Sequence, residues 1–408
     1  MRSQIRSWRG ESIADVQQMD PLPERVRFPL GAGVNRCKVA SVVNVGAEVA
    51  QGAVLAQGEA LTLHASVSGR VEKADAEEIV IRRGASSVAS SIPRTAAYPS
   101  TAGDLVRLAR EMGLVGMGGS MFPASLKLGA ARQIHTLVVN AVECEPGVQI
   151  DEALLLQEAD TVRAGVECVA AAFSITRRVI AVKCTSARRV KAFAASYHAD
   201  VLPLPNIYPG GAEKLIVARL DGRMPPAGQL PVQLGYLVFS VASLWALGRW
   251  FLKREPSILR PLSLVAPPVP TRNVLAPIGT PLSHIMNSYG IGYDAETHLL
   301  VTGGLMMGRS VTPDTPVLKG TTALFVQPIP RRLTRPEGPC ILCGACFDVC
   351  PLKLHPSIMA ERIRDGRRSA ALEAHLDECF LCGACSAVCP SEIPLVQVFR
   401  NAKRGPEP

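Results

Sequence analysis

The sequence predicts a multidomain protein of the α/β and α+β classes, and three observations lead to this prediction. Helical and strand-like periodicities alternate over residues 100–256, which is typical of a mostly parallel sheet covered by helices. Short β-rich runs broken by glycine fill residues 31–95, which indicates a small all-β module. Eight of the 12 cysteines lie after residue 338, which indicates a separate metal-binding domain.

The composition excludes several classes of protein. Of the 408 residues, 48% are hydrophobic and 19% are charged, so most of the chain is expected to fold around buried cores. The net charge is +9, but the sequence has no long run of Lys or Arg residues, which argues against nucleic-acid binding. Residues 1–12 have no apolar segment behind their arginines and do not match a secretory signal, so the cytoplasm is the expected compartment.

The N-terminal part is predicted to consist of an arm over residues 1–30, which are polar and contain proline, and the β module over residues 31–95. The segments VGAEVAQGAVLAQG (45–58) and HASVSGRV (64–71) resemble the barrel-sandwich hybrid of lipoyl-type domains. Because no lysine stands at the tip where lipoate would be attached, a carrier role is not expected.

Residues 100–256 are predicted as one α/β domain with ligands at the carboxyl ends of its strands. Its elements are a helix at 104–114, a strand at 135–143, a long amphipathic helix at 151–173, a strand at 177–184 and a helix at 186–198. The uncharged residues 234–248 are interpreted as a buried helix rather than a membrane span, because a span needs about 20 apolar residues.

A second, smaller unit is predicted over residues 260–328, where short mixed strands and one helix indicate an α+β fold. The proline-rich residues 258–272 that lead into it are interpreted as a linker or an entry strand. Residues 329–408 then form the cysteine-containing domain.

Two cysteine runs in this last domain share the form C-x2-C-x2-C-x3-C-P, which is the spacing of bacterial two-cluster ferredoxins. Three thiolates of each run wrap one [4Fe–4S] cluster, and the fourth reaches the neighbouring cluster. The predicted ligand sets are Cys340, Cys343, Cys346 and Cys389 for one cluster and Cys350, Cys379, Cys382 and Cys385 for the other. Zinc sites or a disulfide knot are the alternatives, but zinc usually takes paired C-x2-C elements.

Three further segments carry groups that a flavin or dinucleotide requires. GMGG at 116–119 precedes Lys127, NAVECEPG at 140–147 lies at the C-terminal end of a predicted strand, and YPGGAEK at 208–214 opens a helix. A glycine loop alone is weak evidence, because it is more often an ordinary tight loop. Together the segments offer close backbone approach, helix N-termini and acceptors for sugar hydroxyls.

These segments resemble a known family. GMGGSMFPASLKL, NAVECEP and IYPGGAEKLIVARLDGRMPPAG look like the NADH/FMN-binding domain of the complex I flavoprotein subunit. They are still more similar to the C subunit of Rnf complexes, the ion-translocating ferredoxin:NAD oxidoreductases. GGLMMG at 303–308 resembles the signature of that subunit's β-grasp (SLBB) module, and the second cysteine run is also similar. The resemblance covers roughly residues 25–401.

The resemblance implies a barrel-sandwich hybrid, a Rossmann-like α/β flavin/NADH domain, a β-grasp (SLBB) module and a ferredoxin-like helical domain with two clusters. It implies an NADH-linked oxidoreductase and translocase subunit that passes electrons between NAD(H), FMN and two [4Fe–4S] clusters. Such a subunit docks peripherally on membrane subunits at the cytoplasmic face of the cell membrane and meets ferredoxin only indirectly. The implied cofactor-binding residues are Gly116, Gly118, Gly119, Lys127, Asn140, Glu143, Glu145 and Glu213.

Five residues depart from the family pattern, and two of them are Ser120 and Ala124 in the last part of the glycine loop. Met121 stands where a glycine of the loop is usual, Lys183 where a glutamate is usual, and Ser240 where an asparagine is usual. Met121 would place a side chain where backbone and flavin come close. Two alternatives therefore stand beside the leading hypothesis: a non-catalytic relay and assembly subunit with a degenerate flavin pocket, and a soluble NADH-dependent reductase of the cobalamin type.

Overall fold

The computed structural model describes residues 13–85, 98–330 and 336–404. The sequence pattern of residues 1–12, on which the prediction of no secretory signal depends, lies outside these ranges. The strands are β1 (Val16–Gln18), β2 (Arg25–Pro29), β3 (Ala40–Ser41), β4 (Glu48–Val49), β5 (Val54–Gln57), β6 (Thr62–His64), β7 (Gly69–Ala74), β8 (Glu78–Arg83), β9 (Thr136–Ala141), β10 (Arg177–Lys183), β11 (Asp200–Leu204), β12 (Tyr236–Ser240), β13 (Leu259–Ala266), β14 (Val269–Pro277), β15 (His298–Thr302), β16 (Arg309–Ser310) and β17 (Ala323–Pro328).

The helices are α1 (Ala32–Asn35), α2 (Ala102–Glu111), α3 (Ala124–Gly129), α4 (Ile150–Gln157), α5 (Ala159–Phe173), α6 (Lys191–Ser196), α7 (Glu213–Asp221), α8 (Val241–Lys253), α9 (Leu282–Ser288), α10 (Ala345–Val349), α11 (Pro356–Arg364), α12 (Arg368–Glu373), α13 (Ala384–Ala387) and α14 (Leu395–Arg404). Short 3₁₀ turns lie at Pro231–Leu234 and Leu376–Glu378. Within the described ranges, no helix is long and apolar enough to span a lipid bilayer.

Two small antiparallel sheets form the N-terminal module, in the orders β2-β8-β7-β4 and β3-β5-β6. Their inner faces bury apolar side chains such as Leu55 and Ile79. The predicted arm of residues 1–30 contains two strands in its described part, because β2 pairs with β8 and β1 pairs with β14. The alternation in RVRFP, with Val26 and Phe28 buried, is the period-two signal of a half-buried strand.

The central domain has a parallel four-stranded sheet in the order β11-β10-β9-β12, which confirms the predicted parallel α/β arrangement. Helices α2, α5 and α8 pack on one face, and α7 packs on the other. All three parallel pairings run in register through β9 and β10, so the carboxyl ends of the strands meet at one edge. The candidate residues that follow these strands are thereby brought together.

Two predicted helices of this domain are corrected. The uncharged residues 234–248 are not one buried helix, because they contain strand β12 and then most of helix α8. A strand buried on both faces is apolar throughout, so its sequence has no period that distinguishes it from a helix. The long helix predicted at 151–173 is interrupted at Glu158, whose backbone leaves the helical region between α4 and α5.

A mixed six-stranded sheet follows, in the order β1-β14-β13-β17-β15-β16, with helix α9 packed on one face. The proline-rich residues 258–272 belong to it as the antiparallel pair β13 and β14, so the entry-strand interpretation is confirmed and the linker interpretation is not. One continuous core joins the N-terminal module, the α/β domain and part of this sheet, from Val26 to Phe325. The helices after residue 344 surround a separate core that includes Met359 and Phe399.

Helices α5 and α8 cross at two glycines. A Cβ atom added to Gly165 would overlap the Leu244 carbonyl, and one added to Gly248 would overlap the Thr161 carbonyl. The two backbones therefore approach more closely than any residue with a side chain would permit.

We expect Gly165→Ala to lower the free energy of unfolding by about 1–3 kcal/mol, because the added methyl group forces the two helices apart. Urea denaturation of the full chain measures this change. Gly103→Ala is the matched control, since Gly103 lies in the exposed first turn of α2 with its nearest neighbour 3.7 Å from the new Cβ. It should leave stability unchanged or raise it by up to about 1 kcal/mol. Equal destabilisation by both substitutions would contradict the close crossing.

Candidate functional site

The glycine loop of residues 116–119 lies against the N-terminus of helix α8. The Ser243 hydroxyl accepts a hydrogen bond from the Met117 amide at 2.9 Å and donates to the Val115 carbonyl at 3.2 Å. Ser240, which stands in place of the usual asparagine, caps α8 by accepting from the Ser243 amide at 3.3 Å. A Cβ atom on Gly118 would lie 3.5 Å from the Ser240 Cβ. The small residues at 118 and 240 therefore leave the loop backbone open to a ligand.

Lys127 and Glu213, two candidate cofactor-binding residues, are ion-paired to each other. The Lys127 Nζ lies 2.8 Å and 2.9 Å from the two carboxylate oxygens of Glu213 and also donates to the Val238 carbonyl. It stands 5.4 Å from the centre of the Phe239 ring. The pair joins α3 to the start of α7 and faces the carboxyl end of β12, so both charged groups reach the predicted edge of the sheet.

The end of strand β9 and the turn that follows it carry three polar side chains, and each bonds a different part of the chain. Asn140 donates to the Gly211 carbonyl at 2.9 Å. Glu143 accepts from the Asp151 amide at 2.8 Å and so holds the first turn of helix α4. Asn140, Glu143 and Glu145 thus all lie at the predicted edge of the sheet. Their side chains form hydrogen bonds within the protein.

Glu145 holds the tight turn formed by GGLMMG. Its two carboxylate oxygens accept from the amides of Met306 and Met307, both at 3.0 Å. A Cβ atom on Gly304 would overlap the Glu145 carboxylate, and one on Gly308 would overlap the Gly304 carbonyl. The glycines of this motif therefore admit the carboxylate and close the turn around it.

Four ionisable groups lie beneath the site, of which Glu143 and Arg260 are buried and Asp151 and Lys183 are partly buried. Burial raises the pKa of Glu143, and the neighbouring Asp151 carboxylate raises it further. Burial also raises the pKa of Asp151, whose carboxylate accepts from the Ala242 amide at 3.0 Å. Lys183 and Arg260 are the cations that oppose these shifts. The Lys183 that replaces the usual glutamate therefore compensates both carboxyl groups.

Met121 does not stand over the glycine loop. Its backbone is in the left-handed region with φ +52°, and its side chain is buried against Gly320. A Cβ atom on Gly320 would overlap the Met121 Cγ, whereas Cβ atoms on Gly118 or Gly119 would have no Met121 atom among their nearest neighbours within 4 Å. The side chain that replaces the usual glycine is accommodated on the far side of the loop.

The cysteine runs adopt the same local conformation but occupy different surroundings. Gly344 and Gly383 have φ +76° and +79°, and each precedes a short helix that carries the third cysteine of its run. The first run is at the surface, where Cys340 and Cys343 are exposed. Among the described residues, no three His, Cys, Asp or Glu side chains are placed to hold a single metal ion.

One apolar cavity contains four of the predicted cluster ligands. It has about 340 Å³ of empty space including its open mouth, and Met359 and Phe399 contribute to its wall. The cysteines that line it are Cys350, Cys379, Cys382 and Cys385. A cysteine of the first run thus joins three of the second, as the crossed spacing predicts. Four thiols around an apolar space are a suitable donor set for a [4Fe–4S] cluster.

The loop of the second run contacts the α/β domain directly. The Tyr208 hydroxyl donates to the Cys382 carbonyl at 2.5 Å, and the Tyr208 ring is buried. Cys144, between the two glutamates of the turn after β9, belongs to the same apolar contact. Burial raises the pKa of the Cys144 thiol to about 11, so the thiol is protonated at neutral pH.

Comparisons with known proteins fit these features. The model of the Nuo51 FMN-binding domain matches residues 109–249, and that of a 4Fe-4S dicluster domain matches residues 339–393. The C subunit of the ion-translocating oxidoreductase complex of Rhodobacter capsulatus is 30% identical in an alignment of 416 positions, gaps included, that covers 96% of this chain and 80% of that protein. The chain belongs to the C-subunit family of ion-translocating oxidoreductase complexes.

Other members of this C-subunit family are similarly related. The C subunit of the proton-translocating ferredoxin:NAD(+) oxidoreductase complex of Clostridium ljungdahlii is 28% identical over 84% of this chain and 79% of its own length. The C subunit of Edwardsiella ictaluri is 32% identical over 94% of this chain, which spans only 50% of that longer protein. A crystal structure of an NAD+-reducing [NiFe]-hydrogenase shares the fold with a TM-score of 0.52 at 18% identity, over 74% of this chain and 62% of the hydrogenase chain.

Sequence reasoning missed four residues that shape the site of this family member. Ser243 fixes the glycine loop, Gly320 receives Met121, and Tyr208 contacts the cluster loop. Arg260 is fully buried, and both of its terminal nitrogens have no hydrogen-bond partner within the described ranges. Only Tyr208 had a signal in the sequence, since it opens the YPGG segment that the resemblance includes.

We expect the Glu143 carboxyl group to contribute a decrease in the free energy of unfolding as the pH rises from about 5 to 8. The pKa of Glu143 is raised in the fold from 4.5 to about 8, so folding favours its protonated form and this contribution is lost as the pH rises through that range. Glu143→Gln should remove this contribution to the pH dependence of the free energy of unfolding. One such group contributes up to about 1.4 kcal/mol per pH unit. Urea unfolding at several pH values measures it. The exposed Glu111→Gln is the control, and an unchanged slope in Glu143→Gln would contradict the assignment.

We expect Gly320→Ala to destabilise the chain by about 1–3 kcal/mol, because its methyl group would occupy the space of the Met121 side chain. Adding Met121→Gly should restore most of this loss, so that a double-mutant cycle gives a coupling of about 1 kcal/mol or more. Because Met121 faces away from the loop, Met121→Gly alone should leave the affinity for FMN unchanged in a fluorescence titration. Additive destabilisation, or tighter FMN binding by Met121→Gly, would contradict this placement.

Proposed function

We propose that this chain is the peripheral subunit of an ion-translocating oxidoreductase complex, in which it passes electrons between NAD(H), FMN and two [4Fe–4S] clusters. The observation that carries this proposal is the 2.5 Å contact between Tyr208 and the loop of Cys382. It joins a cluster-binding run to the edge of the parallel sheet where the nucleotide-binding candidates lie. Membership of the C-subunit family and the two matched domain models support the same activity.

We assign the modules as the family resemblance implies. Residues 31–95 form the barrel-sandwich hybrid, 100–256 the Rossmann-like NADH/FMN domain, 260–328 the β-grasp (SLBB) module and 329–408 the two-cluster domain. Residues 1–30 are assigned to an arm that precedes the first module. Strand β2 nevertheless pairs with β8 of the first module, and β1 pairs with β14 of the six-stranded sheet. The two antiparallel sheets before β9 and the mixed sheet around α9 support the assignment.

The glycine loop and the Lys127–Glu213 pair would hold FMN. The backbone at Gly116, Gly118 and Gly119 offers the close approach that a phosphate or an isoalloxazine ring requires. Lys127 would supply a cation for the phosphate, and Glu213 would supply acceptors for the ribityl hydroxyls; the two side chains lie within 2.8 Å of each other. Bound FMN converts the two-electron chemistry of a nicotinamide into one-electron transfers.

Asn140, Glu143 and Glu145 are proposed to form the floor of the nucleotide site. Their side chains are occupied by backbone partners, so we propose that they shape the edge of the sheet and present backbone groups to the nucleotide. Glu143 and Asp151 lie beside two cations, which limits the negative charge under a phosphate-bearing ligand.

Partners are proposed from the family and the charge of the chain. We propose that it docks on membrane subunits at the cytoplasmic face of the cell membrane and meets ferredoxin only through other subunits. The net charge of +9 favours contact with anionic lipid headgroups or acidic surfaces of those subunits. No nucleic-acid contact is proposed, because the Lys and Arg residues form no continuous run.

Anaerobic reconstitution with iron, sulfide and FMN tests the proposed electron transfer. NADH should bleach the flavin band and the broader cluster absorbance of the loaded chain. The relay alternative is favoured by one observation, namely that Lys127 and Glu213 already neutralise each other. It predicts cluster absorbance with no retained FMN and no bleaching by NADH. A soluble reductase would instead be active toward a small acceptor and would not copurify with hydrophobic subunits.

We expect Cys389→Ser and Cys350→Ser each to remove one cluster, about four of eight iron atoms, but different ones. Cys389→Ser should spare the cluster in the apolar cavity, and Cys350→Ser should spare the exposed one. Iron analysis and the electron paramagnetic resonance signal of the remaining reduced cluster distinguish the two. Cys184→Ser is the matched control, since Cys184 is exposed and lies outside both runs. The same remaining signal in both variants would contradict the crossed ligand sets.

A further inference from the structure

The two cysteine runs offer an internal comparison, because equivalent residues are covered in one and uncovered in the other. A Cβ atom on Gly383 would lie 2.9 Å from the Met306 carbonyl oxygen, whereas one on the equivalent Gly344 would have no neighbour within 4 Å. Leu342 of the first run is 84% exposed. The second cysteine run therefore packs against the rest of the protein, whereas the first run faces solvent.

Two side chains from the edge of the parallel sheet determine this docking. Tyr208 reaches the second run directly, through its hydrogen bond to the Cys382 carbonyl. Glu145 reaches it through the 303–308 turn, because its carboxylate holds the amides of Met306 and Met307 while the Met306 carbonyl faces Gly383. The hydrogen bonds of both side chains end on backbone groups, so both act on the backbone of the loop rather than on the thiols predicted to bind iron.

We propose that Tyr208 and Glu145 form a clamp that holds the Cys382 loop against the nucleotide-binding edge of the sheet. Tyr208 is a positioning residue for electron transfer across this contact. The redox part of this inference depends on the proposed function, whereas the clamp itself does not. Each crossing moves one of the two electrons that an NADH hydride supplies, and no proton moves and no covalent bond changes at Tyr208.

This role differs from what sequence motifs suggest for Glu145. A carboxylate in the NAVECEP segment is expected to face the nucleotide, yet both of its oxygens are bonded to the 303–308 turn. A carboxylate that accepts two backbone amides in a half-buried site would leave both amides without partners if removed. Glu145 therefore links the α/β domain, the six-stranded sheet and the cluster loop.

Hydrogen exchange of the cluster-loaded chain, without NADH, tests the clamp. Tyr208→Phe should retain both clusters and accelerate amide exchange over residues 382–384 by about two- to tenfold, since one buried hydrogen bond is lost. The equivalent residues 343–345 should not change. Tyr197→Phe is the matched control, because the Tyr197 hydroxyl also donates to a main-chain carbonyl, that of Ala159 at 2.6 Å. Unchanged exchange over 382–384, or equal acceleration in Tyr197→Phe, would overturn the clamp.

Glu145→Gln provides the second variant, because it keeps one acceptor and replaces the other with an amide donor. It should accelerate exchange over residues 304–308 together with 382–384. Acceleration confined to residues 304–308 would overturn the link between Glu145 and the Cys382 loop.

For the redox part, a titration should show that Tyr208→Phe lowers the midpoint potential of one cluster only, since a donor next to its ligand is lost. Two unchanged potentials would overturn that part. If wild-type chain is not reduced by NADH, the proposed function fails while the exchange result stands.

Discussion

The end of strand β9 and the turn after it must satisfy backbone groups from three parts of the chain, and the site depends on this constraint. Asn140 bonds the YPGG loop, Glu143 bonds the start of α4, and Glu145 bonds the 303–308 turn. Backbone groups at such junctions have no partners in regular secondary structure and need them from elsewhere. One short polar segment supplies them, so the relative positions of the sheet edge, helix α4 and the 303–308 turn are set together.

Sequence reasoning located these residues but not their partners. The end of a buried strand followed by polar residues indicates a functional edge, and β9 ends at Ala141, two residues before the end of the predicted strand. The partners of Glu145 are more than 160 positions away, and no local pattern encodes such a contact. The segment of strand β12 was predicted as helix because burial on both faces removes the period-two signal. Strand β2 did carry that signal, in Val26 and Phe28.

The effect of a residue that departs from the family pattern depends on the residues that surround it in the fold. Met121 in a glycine position suggests a blocked loop, yet the absent side chain at Gly320 provides room for it. Lys183 suggests a reversed charge, yet it lies near two carboxyl groups that need a cation. In both cases the substituted residue is compatible with the site because its surroundings accommodate its volume or its charge. Close packing makes such matching necessary, because added volume must be offset by lost volume.

The repeated cysteine motif shows how identical ligands acquire different properties. Both runs place a residue and a glycine in the left-handed region before the third cysteine, Leu342 with Gly344 and Leu381 with Gly383. The two runs differ in solvent exposure, because the first is open to solvent while the second lies between the sheet edge and an apolar core. Solvent exposure and nearby donors change cluster potentials even when the ligands are the same. The different surroundings of the two cysteine runs therefore arise from their tertiary contacts and not from the motif.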